Sequence, residues 1–192
     1  MTRDCTTFPR PGDCVQVESI LMRKDSPQAI ILVGVSGCGK TAVGKRLSQA
    51  WGWPSFDGDD FRPPENIAKM STGIPLNDDD RALWLTKLHD LVADHLQSGK
   101  SMLLACSALK QKYRDQLRAG DPGTFVVCLK GDFDLIFGRM AAREDHYMKA
   151  KMLRSQFDAL EEPADAITVD IDKSLEEIVE EISISIDSGK EI

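Results

Sequence analysis

Ala29-Ile30-Ile31-Leu32-Val33 runs without interruption into Gly34-Val35-Ser36-Gly37-Cys38-Gly39-Lys40-Thr41. The first five residues are apolar and rich in β-branched side chains, as in a strand buried on both faces. The next eight match G-x-x-x-x-G-K-[ST] in full. Glycines let successive backbone N–H groups turn inward around a phosphate, and a helix starting there adds its positive end. Lys40 is expected to serve the β- and γ-phosphates, and the Thr41 hydroxyl to ligate Mg²⁺. A chance glycine-rich turn would not need a strand before it and a helix after it. The stretch therefore predicts a site for a nucleoside triphosphate with Mg²⁺.

Outward from this point, further apolar runs lie at Met102–Cys106, Thr124–Leu129 and Ala166–Val169, with a shorter one ending at Phe56. Between them, Leu85, Leu88, Val92 and Leu96 share one face of a helix predicted over Arg81–Gln97. Leu175, Ile178, Val179 and Ile182 do the same over Ser174–Ile186. Strands alternating with helices of this length predict an α/β protein, a three-layer P-loop NTPase fold with a mostly parallel sheet. Residues 1–28, broken by Pro9, Pro11, Gly12 and Pro27, read as a poorly ordered extension in which Val15 to Met22 could form a short helix. Residues 29–192 are expected to form a single P-loop domain.

The 192 residues suit one domain with a core of its own. A net charge of −7 argues against nucleic acid as a general partner but permits a local basic site. No apolar stretch approaches the ~20 residues of a membrane span, and no secretory leader is expected at the amino terminus. The five cysteines are scattered, with no C-x-x-C pair, and the three histidines lack metal-ligand spacing. A reduced, cytoplasmic protein is the plain expectation. Cys38 adjoins both a helix N-terminus and a lysine, a setting that favours a reactive thiol.

GTPases carry D-x-x-G and [NT]-K-x-D. None of the fourteen glycines here has an aspartate three residues earlier, and [NT]-K-x-D is absent. The Met102–Cys106 strand ends without an aspartate for a metal, so carboxylate support must come from elsewhere. Asp57-Gly58-Asp59-Asp60 follows the second strand and would face the ligand crevice of such a sheet. One of its carboxylates could orient Mg²⁺ while the other positions an attacking hydroxyl. An acidic turn would explain the same residues equally well.

The segments GVSGCGKT (34–41), FDGDDFRPPENIAKMSTGIPLNDDDR (56–81), CSALKQKYRDQLR (106–118), LKGDFDLIFGRMAAR (129–143), HYMKAKMLRSQFDALEEP (146–163) and VDID (169–172) resemble the gluconokinase family. The resemblance implies an adenylate-kinase- or shikimate-kinase-like fold with a mobile lid, here about 139–151. It implies transfer of the ATP γ-phosphate to the 6-hydroxyl of D-gluconate, Mg²⁺ dependence and a homodimer. On that pattern Asp57 stands on the metal side with Thr41, and Asp59 beside the reacting hydroxyl. Lys40, Asp59 and Arg139 would be catalytic, and Arg139 and Arg143, leading into the lid, would also serve the nucleotide. Arg62, Arg81, Lys110, Arg114 and His146 would join Asp59 on the substrate side, Arg81 having the guanidinium fork that suits a carboxylate. Asp78, Asp79 and Asp80, following Asn77 as a cap, read instead as complements to the positive end of a helix. Lys110 and Arg114 could equally be solvated charges on one helix face.

The chain departs from the family pattern twice. Arg62-Pro63 stands where relatives have histidine before proline, and Arg143-Glu144-Asp145-His146-Tyr147 replaces the more basic R-K-G-H-F of the lid. Two other readings compete: a kinase of the same fold acting on shikimate or a nucleoside monophosphate, and a nucleotide-binding module without catalysis. Lys40, Thr41, Asp57, Asp59 and two lid arginines exceed what binding alone requires.

Overall fold

The computed structural model describes residues 26–72, 74, 76–118, 120–141 and 146–188, with only the backbone of 146–150. Its centre is β1 (Ala29–Val33), in which every side chain is buried. Next to it run β3 (Met102–Ala105) and β4 (Thr124–Lys130), with β2 (Ser55–Asp57) and β5 (Ile167–Asp170) at the edges, in the order β2-β3-β1-β4-β5. All four pairings are parallel, so the described sheet is wholly parallel where the sequence pointed to a mostly parallel one. Ile30 lies opposite Leu103 on one side and Phe125 on the other.

Alternate residues of β1 feed opposite cores, as the pleat dictates. Ile30 and Leu32 pack with Val43 and Leu47 of α1 (Lys40–Trp51) and with Ile178 and Ile182 of α7 (Leu175–Asp187). Ile31 and Val33 pack with Leu85 and Leu88 of α3 (Asp78–Gln97) and with Leu117 of α4 (Gln111–Arg118). Helix, sheet and helix give three layers. The remaining described helices, α2 (Pro64–Ser71), α5 (Phe133–Ala141) and α6 (His146–Ala159), belong to the connections that leave the carboxyl ends of the strands or return to them.

Local signals set the boundaries. Helix α1 stops where Gly52 turns left-handed and its N–H bonds Ser48 O. Helices α3 and α7 each start in a capping box, Asn77 with Asp80 and Ser174 with Glu177. The first of these puts α3 three residues ahead of the expected Arg81, because Asp78 to Asp80 form its opening turn. Gln28, read as extension, is buried; its N–H donates to Ser101 Oγ at 3.0 Å and its carbonyl accepts from Met102 N at 2.8 Å. Residues 1–25 and residues 142–145, at the centre of the segment expected to form a lid, lie outside the described residues. Among those described, no helix is long and apolar enough to cross a membrane.

Parallel strands bring all their outgoing loops to one edge. Residues 34–39, 57–62, 106–110 and 131–132 thus share a single rim.

Candidate active site

The loop after β1 holds three glycines at positive φ, Gly34 (142°), Gly37 (85°) and Gly39 (100°). Space as well as φ demands glycine at the first two. A Cβ on Gly37 would stand 2.5 Å from Met140 Cγ, and one on Gly34 would stand 2.8 Å from both Cys38 Sγ and Leu129 O. Lys40 opens α1, and its Nζ donates to the Gly34 and Val35 carbonyls at 2.9 Å each. It is thereby held over the loop it is expected to serve. Cys38 is only 1% exposed, with Lys40 Nζ 3.8 Å from its sulfur. The thiol expected to be reactive is therefore closed to solvent.

The acidic turn meets this loop directly. Thr41 Oγ1 donates to Asp57 Oδ2 at 2.8 Å, joining the end of β2 to the first turn of α1. Asp57 Oδ1 also accepts from Asp59 N at 3.1 Å, capping a 3-10 turn over Gly58–Phe61. Asp57 pairs in register with Ala105, so its carboxylate serves the rim beside the strand that lacks a terminal acid. The Asp59 carboxylate points outward and accepts from Arg62 Nε at 3.0 Å and Nη2 at 2.7 Å. Arg62 lies 4.3 Å above the Trp84 ring, whose Nε1 donates to Gly58 O at 2.7 Å. Arg62, where the family pattern has histidine, thus acts here as a brace on Asp59.

Helices α2 and α3 form the opposite wall. Buried Asn66 donates to Asp80 O at 2.7 Å and Lys69 Nζ to Asp80 Oδ2 at 2.5 Å, locking α2 onto the first turn of α3. Lys69 and the Asn77 backbone hold the Asp80 carboxyl below its usual range. Asp78 does more than complement the helix dipole. It accepts from Lys112 and from the Tyr113 hydroxyl, and lies 3.5 Å from Lys110 Nζ. These partners, Lys112 foremost, hold its pKa well below the ordinary carboxylate range. Arg81, Lys110 and Lys112 surround the Tyr113 ring at 5.8, 5.8 and 5.6 Å. Three cations therefore gather around Tyr113 and Asp78, where α3 meets α4.

Arg114 departs from its expected place. It is 1% exposed; Nη1 donates to Ala108 O and Leu109 O at 3.0 Å, and Nη2 to Gln111 Oε1 and Glu161 O at 2.7 and 2.8 Å. It braces the loop after β3, where Ala108 takes a left-handed φ of 35°, and its one unpartnered nitrogen, Nε, is buried away from any substrate. Arg139, in the last turn of α5, has Nη2 bonded to Ile171 O at 2.7 Å. Arg143 and the His146 side chain lie outside the described residues. Sequence reasoning passed over Trp84, Lys112, Tyr113 and Gln156. The last accepts from Ser36 N at 2.6 Å and donates to Ser36 Oγ at 2.9 Å. Trp84 precedes Leu85 on the apolar stripe and was recoverable; nothing in a lone glutamine marks such a partner 120 residues away.

A glycine-rich cradle with lysine and threonine, set on a parallel sheet and faced by a carboxylate turn and a cationic wall, defines a P-loop kinase of small acceptors. A family model for shikimate kinase matches residues 36–187. The thermoresistant gluconokinase of Escherichia coli K12 is 44% identical over 83% of this chain and 94% of its own. A probable gluconokinase of Rattus norvegicus is 42% identical over 80% and 95% respectively. The crystal structure of a gluconokinase from Sinorhizobium meliloti 1021 superposes with a TM-score of 0.76 at 40% identity, covering 84% of this chain and 93% of that one. The chain belongs to the gluconokinase family.

Proposed function

We propose that this protein transfers the γ-phosphate of ATP to the 6-hydroxyl of D-gluconate, releasing 6-phosphogluconate and ADP. The carrying observation is the cluster of Arg81, Lys110 and Lys112 around Tyr113, on the α3–α4 side of the sheet whose β2 ends in Asp57, bonded to Thr41 of the glycine loop. Such a cluster suits a carboxylate-bearing acceptor, and family membership points to the same substrate. The Gly34–Thr41 loop would hold the triphosphate through the backbone N–H groups it leaves free, Ser36 N being bonded to Gln156 and Gly34 N to Ser107 O, with Lys40 and Arg139 neutralising charge on the transferring group and Arg143 assisting. Asp59, braced by Arg62, would orient the reacting hydroxyl, while Arg81 and Lys110 hold the carboxylate. His146 remains a proposed substrate contact, whereas Arg114 acts in structure alone.

Mg²⁺ fits the residues present. Thr41 and Asp57 are bonded neighbours offering hard oxygen donors, and among the described residues no group of three or more His, Cys, Asp or Glu forms a cage. Mg²⁺ is commonly held in this way, by one or two protein oxygens together with substrate phosphates and water. The ion would supply charge neutralisation on those phosphates. We further propose that the segment about 139–151 acts as a lid and that the protein is a cytoplasmic homodimer. Free, buried Cys38, Cys106 and Cys128 fit a reducing compartment, and light scattering tests the dimer.

Two variants test the site. Asp59→Asn should lower kcat at least a hundredfold with little change in ATP affinity, because it touches the chemical step. Arg81→Ala should raise the gluconate KM at least tenfold. An Arg81→Ala enzyme that handles gluconate normally would contradict the assignment.

A further inference from the structure

We propose that Gln156 is a positioning residue of the phosphate cradle, setting the Ser36 peptide from helix α6. Its amide meets Ser36 twice, accepting from the backbone N–H at 2.6 Å and donating to Oγ at 2.9 Å. Because an N–H can only donate, the Gln156 oxygen must face it, which fixes the amide orientation. The helix is seated for this contact. Leu153 is fully buried in the core, and Phe157 packs edge-on against Phe133 at 5.6 Å, so residues 153, 156 and 157 share one inward face.

The cradle needs such a hold. Glycines at 34, 37 and 39 make the loop soft, and phosphate binding requires several N–H groups aimed at one point. Val35 is buried and fixes the entry to the loop. Met140 and Ile136 of α5 press on Gly37, whose added Cβ would meet them at 2.5 and 3.2 Å. Ser36 lies between these two anchors and takes its own from α6. Helices α5 and α6 thus both hold the tip of the cradle. The inference rests on the Gly34–Thr41 loop being the nucleotide site and is independent of the acceptor.

The test compares Gln156→Met, which keeps length and packing but not the two bonds, with Ser36→Ala and the double variant. Each is titrated with a non-hydrolysable ATP analogue and Mg²⁺, without acceptor, alongside melting curves and gluconate KM. Gln156→Met should bind the analogue about tenfold more weakly, with gluconate KM and Tm little changed. Ser36→Ala loses one bond and should cost about threefold. The double variant should be no worse than Gln156→Met, because both substitutions break the same contact. Analogue affinity within twofold of wild type in Gln156→Met, or losses that multiply in the double variant, would overturn the proposal. Should Gln156→Met fail to fold, unchanged analogue affinity in Ser36→Ala would do so. A protein that binds the analogue normally yet ignores gluconate would instead count against the acceptor reading.

Discussion

Lys40 and Arg114 are both cations bonded to backbone carbonyls, but the chain uses them in opposite ways. Lys40 rests on the Gly34 and Val35 carbonyls at the open rim, where its flexible stem can swing to a phosphate. Lys40→Ala should keep the circular-dichroism spectrum and Tm while kcat falls at least a thousandfold. Arg114 has four bonds within the fold and is 1% exposed. Arg114→Met would strand the Ala108, Leu109 and Glu161 carbonyls, a loss of about 3 kcal/mol and thus roughly 6–12 °C in Tm. Acceptor KM below the transition should change little, and a selective rise in it with normal Tm would restore Arg114 to the substrate side. Buried thiols belong to this scale as well. Burial pushes Cys106 up to about 12 and Cys128 up to about 11. With Cys38 buried too, site-resolved mass spectrometry should find all three unalkylated in the native protein and labelled after denaturation.

The first turn of α3 is the element on which the acceptor wall depends. Asp78 ties it to α4, and its pKa is held low chiefly by Lys112 and Tyr113. A depressed pKa means that this link stabilises the fold above the unfolded aspartate value, near pH 4, and is lost as pH falls through the lower folded value. Asp78→Asn should therefore be less stable than wild type at neutral pH, by a small margin because the carboxylate is exposed. The gap between the two Tm values should close below about pH 4. A gap that widens on acidification would contradict the link. Trp84 performs the matching task for the acidic turn, through its bond to Gly58 O and its stacking with Arg62. The cap at Asn77 was legible in the sequence because capping chemistry is local and the residues adjoin. The Asp78 bridge spans more than thirty residues and was not, and Arg114 looked like a surface charge because its helical spacing says nothing of depth.

At the scale of the whole molecule, the apolar run at 29–33, the glycine loop and the alternation of strands with helices led to the parallel three-layer fold. Each is a periodic or contiguous signal, whereas the contacts that assemble the rim are long-range and side-chain-specific. The Thr41–Asp57 bond is the instructive intermediate case. Both residues were singled out for the metal, each from its own motif, and the sheet order then brings β2 to the cradle edge. The account's central claim is that this rim takes a sugar acid and phosphorylates it. Its most direct test is ADP release from Mg²⁺-ATP, measured in parallel with gluconate, sorbitol, shikimate and AMP. Gluconate should turn over with a kcat/KM about a hundredfold or more above the other three, since a neutral polyol offers no carboxylate to the Arg81 and Lys110 cations. Equal turnover of gluconate and sorbitol, or a preference for shikimate or AMP, would contradict it.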